Sequence, residues 1–273
     1  MASSTDALEE PDPGRRGRFP AALLALGYDE LARYYELEYA DYDRDLPFYH
    51  ELIRRTSGPF LDLGCGTGRV ARSLAEAGFE AVGLDSSEDM LAIGRSTPVA
   101  NLQLLRGDMR GFDLGRAFPL VAITLNAFMH VIDLKDQLAT LRSAARHVMP
   151  NGLFVISTIN PYSVSLQDTE AKLIHEFTMD DPLAGSRVSK FSAREVDTAD
   201  QIERVTFFYD EVKDGQLRRT VTTLDFRYTY RYELELLLQR AGLRVTRVYG
   251  GYDLEPYDIT SSVLLMVAEH APA

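Results

Sequence analysis

Three glycines and three carboxylates carry the chemistry that can be read in this chain. Residues 60–69 run Phe-Leu-Asp-Leu-Gly-Cys-Gly-Thr-Gly-Arg, an apolar stretch that enters a glycine-rich turn and then a helical pattern. Gly64, Gly66 and Gly68 have no Cβ, so the backbone there can adopt positive φ and approach a ligand closely, with the amides of the next helix pointing at it. Such a loop cradles a nucleotide-type cofactor. A dinucleotide fingerprint, G-x-G-x-x-G, would need glycine at position 69, where this chain has Arg69. A second apolar run, 80–84, ends in Asp85; a carboxylate at a strand tip suits the two adjacent hydroxyls of a ribose. A third, 102–105, leads into Gly107-Asp108-Met109, and a fourth, 120–125, into Leu125-Asn126. His130 follows that fourth run by five residues, and an imidazole, which ordinarily titrates near neutrality, is the best candidate there for a base.

The elements that position these residues follow from periodicity. Five short β-rich runs, the fifth at 153–157, alternate with helical patterns such as 135–148. This order predicts an α/β fold with a mostly parallel sheet covered on both faces and ligands at the carboxyl ends of its strands. The G-x-G-x-G spacing preceded by Asp62 resembles the first motif of class I S-adenosylmethionine-dependent methyltransferases, and Asp85 and Gly107-Asp108-Met109 resemble the family's next motifs. The resemblance implies a Rossmann-like seven-stranded sheet with one antiparallel strand, and S-adenosylmethionine as cofactor. It implies a binding set of Asp62, Gly64, Cys65, Gly66 and Gly68 from the loop, with Asp85, Ser86 and Met90 after the second strand. From later strand ends come Gly107, Asp108 toward the adenine amino group, Met109 on the ring face, and Leu125 and Asn126.

Residues 28–39 place apolar and aromatic side chains at helical spacing, and a second helical pattern covers 46–56. Ala32, Tyr35, Glu36 and Tyr39 form an A-x-x-Y-[DE]-x-x-Y pattern that resembles sugar N,N-dimethyltransferases. There the tyrosines line the sulfonium region, so the resemblance adds Tyr35 and Tyr39 to the cofactor set, with Tyr35 a catalytic candidate beside His130 and Tyr39 near the acceptor; His130 joins the acceptor's surroundings from its place after the fourth strand, since the matching position in those enzymes is tyrosine.

The segment 161–230 is rich in Val, Thr, Phe and Tyr. It predicts three antiparallel strands (187–196, 201–213 and 216–230), with a turn at 213–216 and a short helix plus loop over 163–181. This is a lid over a small acceptor, with Asn160, Tyr162, Tyr228, Tyr230 and Arg231 as candidate contacts. The expected organisation is a disordered leader at 1–18, a helical cap at 19–58, a cofactor domain at 59–160 and 231–270, and the lid at 161–230.

Composition narrows the partners. The 273 residues carry a formal charge of −12, and without basic clusters to displace counterions nucleic acid is not an expected substrate. No apolar run has membrane-spanning length, no metal site is expected, and a single cysteine, Cys65, fits a reducing cytoplasm. Pairing into a homodimer is left open. The chemistry expected is methyl transfer by in-line displacement to a nitrogen, oxygen or carbon of a metabolite or natural product. Two other readings use the same cofactor half, an NAD(P)-dependent oxidoreductase and a noncatalytic S-adenosylmethionine-binding protein.

Overall fold

Side chains alternate across a strand, so a strand buried on both faces reads as a continuous apolar run. The computed structural model, which describes residues 28–39, 41–162 and 172–271, shows this in its central strands. Leu61, Leu63, Val121, Ile123, Phe154 and Ile156 pack on one face with Leu141 and Leu238 from two helices. Phe60, Leu120, Ala122 and Val155 pack on the other with Ile53 and Leu74.

The parallel strands are β1 (Phe60–Leu63), β2 (Ala81–Asp85), β3 (Leu102–Arg106), β4 (Phe118–Ile123) and β5 (Val148–Ile159). Four antiparallel strands follow, β6 (Leu173–Asp181), β7 (Ser186–Asp197), β8 (Ile202–Lys213) and β9 (Gln216–Arg227). The chain then returns with β10 (Leu243–Tyr249) and β11 (Val263–His270). The main sheet has the order β10-β11-β5-β4-β1-β2-β3, and β11, antiparallel to both neighbours, is its one reversed member. This is the sheet expected from the sequence. The helices are α1 (Tyr28–Tyr39), α2 (Leu46–Thr56), α3 (Arg69–Glu76), α4 (Glu88–Arg95), α5 (Leu134–Arg146) and α6 (Arg231–Arg240).

The lid differs from expectation in having four strands. Residues 173–181, read as helix and loop, form β6, an edge strand whose side chains are mostly exposed or half-buried, so no apolar alternation marks it. The leader at 1–18 lies outside the described residues, as do 163–171. Among the described residues no helix is long and apolar enough to cross a membrane.

The lid is fastened to α1. Tyr34 stacks on Tyr209 with ring centroids 4.1 Å apart and shares a hydrogen bond with Thr220, while Arg33 pairs with Glu211 and Glu38 with Lys190. The other anchor lies behind the glycine loop, where Arg69, the first residue of α3, grips Asp45 at 2.5–2.8 Å and donates to the Tyr42 carbonyl. Asp45 is fully buried, and removing one member of a buried pair strands the other charge.

Helix α4 starts at Ser87, whose side chain accepts from the Met90 amide at 3.3 Å, and acids Glu88 and Asp89 favour the first turn. Its Gly94 lies against the glycine loop. A Cβ there would meet the Thr67 carbonyl oxygen at 2.2 Å and Leu104 at 2.6 Å, and the first of these is backbone that cannot rotate away. Gly94→Ala is therefore expected to destabilise the fold by about 1–3 kcal/mol, measured by chemical denaturation; an unchanged midpoint would mean that α4 can slide off the loop freely.

Candidate functional site

At the carboxyl ends of β1, β2 and β4 lies a cavity of about 480 Å³, within the usual range for small-molecule sites. Gly64 and Gly66, with φ of +70° and +58°, form its floor. A Cβ on Gly64 would lie 2.7 Å from Ala127, and one on Gly66 would lie 3.7 Å from the Tyr35 ring, so glycine keeps this space open. Asp85, Ser86 and Met90 line one wall, and Gly107, Asp108 and Met109 another.

Asp85 is held by the loop it faces. Its carboxylate accepts from the Gly66 amide at 2.7 Å and the Ser87 amide at 2.9 Å. Burial raises its carboxyl above the usual range, and those amides pull it back. Asp108 is lowered by the hydrogen-bonded guanidinium of Arg110, which also reaches Asp136 at 3.1 Å. The sequence reading missed Arg110 and Asp136, both lining this cavity; the signal available was an arginine two residues beyond the third motif's acid.

A second cavity of about 280 Å³ lies under the lid, and Tyr35, Met90, Leu125 and His130 line both. Tyr39 and Asn126 line only this second one. The Tyr35 and Tyr39 rings lie 4.6 Å apart; burial lifts the Tyr39 hydroxyl to about 12 and that of Tyr35 further. Leu125 and Asn126 both have positive φ, +42° and +66°, a conformation costly for residues with a side chain and often kept where function needs it. The strain is held by β5, because Ser157 receives the Leu125 amide on its hydroxyl and the Asn126 amide on its carbonyl, at 3.0 and 3.2 Å. The kink turns the chain into a 3₁₀ turn, Ala127–His130, and so aims His130 between the cavities.

His130 is not an ordinary imidazole. Its ring lies 4.8 Å from Phe226 of β9, and burial pushes its pKa down to about 4, so it is neutral at physiological pH and a weak base. The expectation of a near-neutral pKa fails because the lid encloses the ring.

The lid contributes charge that the sequence reading did not single out. Lys190 pairs with Glu38 at 2.7 Å and Glu176 at 3.4 Å, and Arg194 pairs with Glu203 at 2.8 Å. All five line the second cavity beside Phe207 and Tyr209. The two-residue alternation Glu203, Val205, Phe207, Tyr209 on β8 was the available signal.

Other expected site residues lie elsewhere. Gly68 lines neither cavity; at the start of α3, a Cβ would meet Leu104 at 2.8 Å, so its role is packing. Cys65 is buried among Leu91 and Leu104 beneath the loop, its thiol pushed up by burial. Asp62 is fully buried below Gly64, with Thr124 donating to Oδ1 at 3.1 Å. Asn160 is a structural latch. Its amide donates to the carbonyls of Asp258, Ile259 and Ser261, and its oxygen accepts from the Tyr257 hydroxyl. Tyr162, Tyr228 and Tyr230 form a ring cluster at the root of the lid, centroids 5.3 and 5.8 Å apart, with Arg231 stacked on Tyr232 and Tyr257. None of these five lines either cavity: Asn160 and Tyr162 follow β5, Tyr228 and Tyr230 lie between β9 and α6, and Arg231 is the first residue of α6. His147 is buried at the end of α5 and bonded to the Ser143 carbonyl and the Leu114 amide. Among the described residues no cluster could hold a metal ion.

Residues 60–152 match the methyltransferase domain family. The chain is 30% identical to the cypemycin N-terminal methyltransferase of a Streptomyces species over 214 residues, 77% of this chain and 82% of that protein. It is 38% identical to dTDP-3-amino-3,6-dideoxy-alpha-D-glucopyranose N,N-dimethyltransferase of Streptomyces fradiae over 135 residues, 46% of this chain and 52% of that one. The fold is that of the CcbJ methyltransferase of Streptomyces caelestis, with a TM-score of 0.72 at 24% identity over 86% of this chain and 95% of that one. These relationships set aside the oxidoreductase and noncatalytic readings, and with the glycine loop, Asp85 and the third-strand acid they lead to one conclusion: the chain belongs to the class I S-adenosylmethionine-dependent methyltransferases.

Proposed function

We propose that this enzyme methylates a nitrogen of a small natural-product acceptor held under the lid. The observation that carries this reading is the shared wall: Tyr35, Met90, Leu125 and His130 border both cavities, so the two would hold donor and acceptor on either side of one junction. In this reading Asp85 accepts from the ribose hydroxyls, Asp108 and Met109 attend the adenine, and the Gly64–Gly66 backbone supports the remainder. The bound S-adenosylmethionine supplies a methyl on a positively charged sulfur, open to in-line displacement. The cap tyrosines and the lid align the reactants and exclude water, and alignment of this kind is worth about 7–11 kcal/mol.

Two features favour nitrogen. A neutral amine attacks without first losing a proton in the transition state, so a weakly basic His130 suffices to accept a hydrogen bond and orient the lone pair, whereas an alcohol would need a real base. The lid cavity sets three carboxylates, Glu38, Glu176 and Glu203, against two cations, Lys190 and Arg194, so its formal charge is −1 and it suits an acceptor drawn in as an ammonium ion, which gives its proton to solvent before the neutral amine attacks. The relatives named above are an N-terminal methyltransferase and a sugar N,N-dimethyltransferase, in keeping with this choice. Both cations in the cavity are already committed to carboxylates, which leaves none to grip a diphosphate, so a nucleotide-linked sugar fits less well than a free amine.

Four outcomes are expected. A screen for S-adenosylhomocysteine release should find turnover with amine-bearing metabolites and none with the same skeletons carrying hydroxyl in place of amine; the reverse pattern would overturn the nitrogen assignment. Asp85→Asn should weaken S-adenosylhomocysteine binding about tenfold or more by calorimetry, since a hydrogen bond to a charged group is worth about 1.5–3 kcal/mol; unchanged titration would remove Asp85 from the site. Because the His130 pKa is lowered, the imidazole is already neutral above pH 5, so at saturating cofactor kcat should show no histidine limb between pH 5.5 and 7.5. His130→Gln should lower kcat about tenfold at every pH in that window without changing cofactor affinity. A wild-type limb near pH 6.5 that disappears in the variant would show instead that His130 titrates as a base.

A further inference from the structure

The three carboxylates that line the lid cavity are not equally engaged by their neighbours. Glu38 of α1 is fully used, one oxygen receiving the Tyr209 hydroxyl and the other Lys190 Nζ. Glu176 of β6 lies between two cations, 3.4 Å from Lys190 Nζ and 3.6 Å from Arg194 Nη2. Glu203 of β8 has one. Its Oε1 accepts from Arg194 Nη1 at 2.8 Å, while Oε2 takes no hydrogen bond among the described residues. The Glu203 side chain is only 9% exposed, so a carboxylate oxygen is largely shielded from bulk water with its lone pairs unused. Such a group in a native fold calls for an explanation.

Its position narrows what the missing partner is. Residues directly opposite on antiparallel strands share a face, with Cβ atoms about 5 Å apart, and Glu203 stands opposite Phe226 of β9. The Phe226 ring lies 4.8 Å from the His130 ring and meets Phe207 edge-on at 6.5 Å. Both phenylalanines line the cavity, as does Val205, which alternates with Glu203 and Phe207 along β8. Beside the junction with the donor cavity there are thus an open carboxylate oxygen and two aromatic rings. A cation is the ligand these groups share, since a carboxylate accepts charge-assisted hydrogen bonds from it and ring faces attract it. An uncharged head group gains neither interaction in full.

We propose that Glu203 receives the acceptor's amino group as an ammonium ion and presents it beside His130, between Phe207 and Phe226, so that the acceptor is a strongly basic amine on an apolar stem. This rests on the reading of the lid cavity as the acceptor site and names the carboxylate that does the selecting. Val205, Phe207 and Leu224 hold the stem. Arg194 is a positioning residue, because it fixes Glu203 through Oε1 and competes with the acceptor for its charge. Docking makes and breaks no covalent bond. Amides and anilines, uncharged at neutral pH, are poor acceptors on this account.

The experiment titrates the full chain, saturated with S-adenosylhomocysteine, with 2-phenylethylamine and with 2-phenylethanol at pH 7, followed by ligand-observed nuclear magnetic resonance. The two probes share a skeleton and differ in the charge of the head group. The amine is expected to bind about tenfold or more tightly than the alcohol. Glu203→Gln should bring the two within about threefold by weakening the amine. Arg194→Gln should act in the opposite direction and strengthen the amine about threefold, because Glu203 then has both oxygens open. Glu176→Gln is the control: it changes the charge of the cavity by the same single unit as Glu203→Gln and should leave most of the preference for the amine. Should Glu203→Gln not fold, a stronger amine in Arg194→Gln with the preference kept in Glu176→Gln supports the assignment. A preference retained in Glu203→Gln, an equal loss in Glu176→Gln, or a weaker amine in Arg194→Gln would overturn it and leave the acceptor site standing. If the unmodified chain binds both probes alike, or neither, the reading of the lid cavity as an ammonium site falls and the assignment of Glu203 falls with it.

Discussion

The buried pair of Arg69 and Asp45 is the interaction on which the arrangement of the site depends. The loop and α3 belong to the cofactor half, and Asp45 belongs to the turn between the two cap helices. Their bidentate contact, reinforced by the Tyr42 carbonyl and by the Tyr42 ring 5.0 Å from the guanidinium, fixes where α1 crosses the loop. That crossing puts Tyr35 on Gly66 and Tyr39 under the lid. A buried ion pair adds little net stability, because desolvation offsets most of its attraction. Its value here is one of register, since the charge of Asp45 is tolerable only with Arg69 opposite and the cap has one low-energy seat.

From this seat the geometry propagates outward. Helix α1 carries Tyr34 and Glu38 as well as the site tyrosines, and these bind Tyr209, Thr220 and Lys190 of the lid sheet. Cap and lid thus form one packed unit on the mouth of the parallel sheet. On the opposite side, the strained Leu125–Asn126 kink, held by Ser157 of β5, aims His130 at Phe226 of β9. The junction between the cavities is bounded by groups that come from three separate parts of the chain and meet because each is tethered to a neighbour.

How much of this could be read from residues alone varies with how local the cause is. The glycine loop and the strand-end acids were legible because their reasons are local: φ at Gly64 and Gly66, a carboxylate at the tip of β2, a short run between helices. The seven-stranded sheet was legible because burial on both faces leaves unbroken apolar runs. The strand β6 was not, since an edge strand with little buried surface has no alternation to betray it. Asn160 and the tyrosines at the lid root were misjudged because aromatic and amide side chains near a strand exit serve a latch as well as a ligand, and only the three carbonyls of 258–261 reveal which. The lid charges were missed for a related reason. Lys190, Glu176 and Glu203 look like a solvated face until α1 is laid across them.

Asp62 and Asp85 show why residue type and motif position do not settle a role. Asp62 is fully buried and Asp85 half-buried near the ends of adjacent strands, and in both burial opposes the charge. Asp85 is met by amides of the loop and of the start of α4, donors that cannot rotate away, so its carboxylate is presented ready to accept. Asp62 is met by one hydroxyl, with the Arg69 cation already engaged by Asp45, and burial raises its pKa to about 7. Like residues on one sheet are thereby divided into a standing acceptor and an acid whose charge burial disfavours. Environments that separate the titration of paired acids in this way are how one fold assigns different tasks to the same side chain. The division here is set by how many backbone amides face each carboxylate, a property of the turn after each strand and of nothing in the acids themselves.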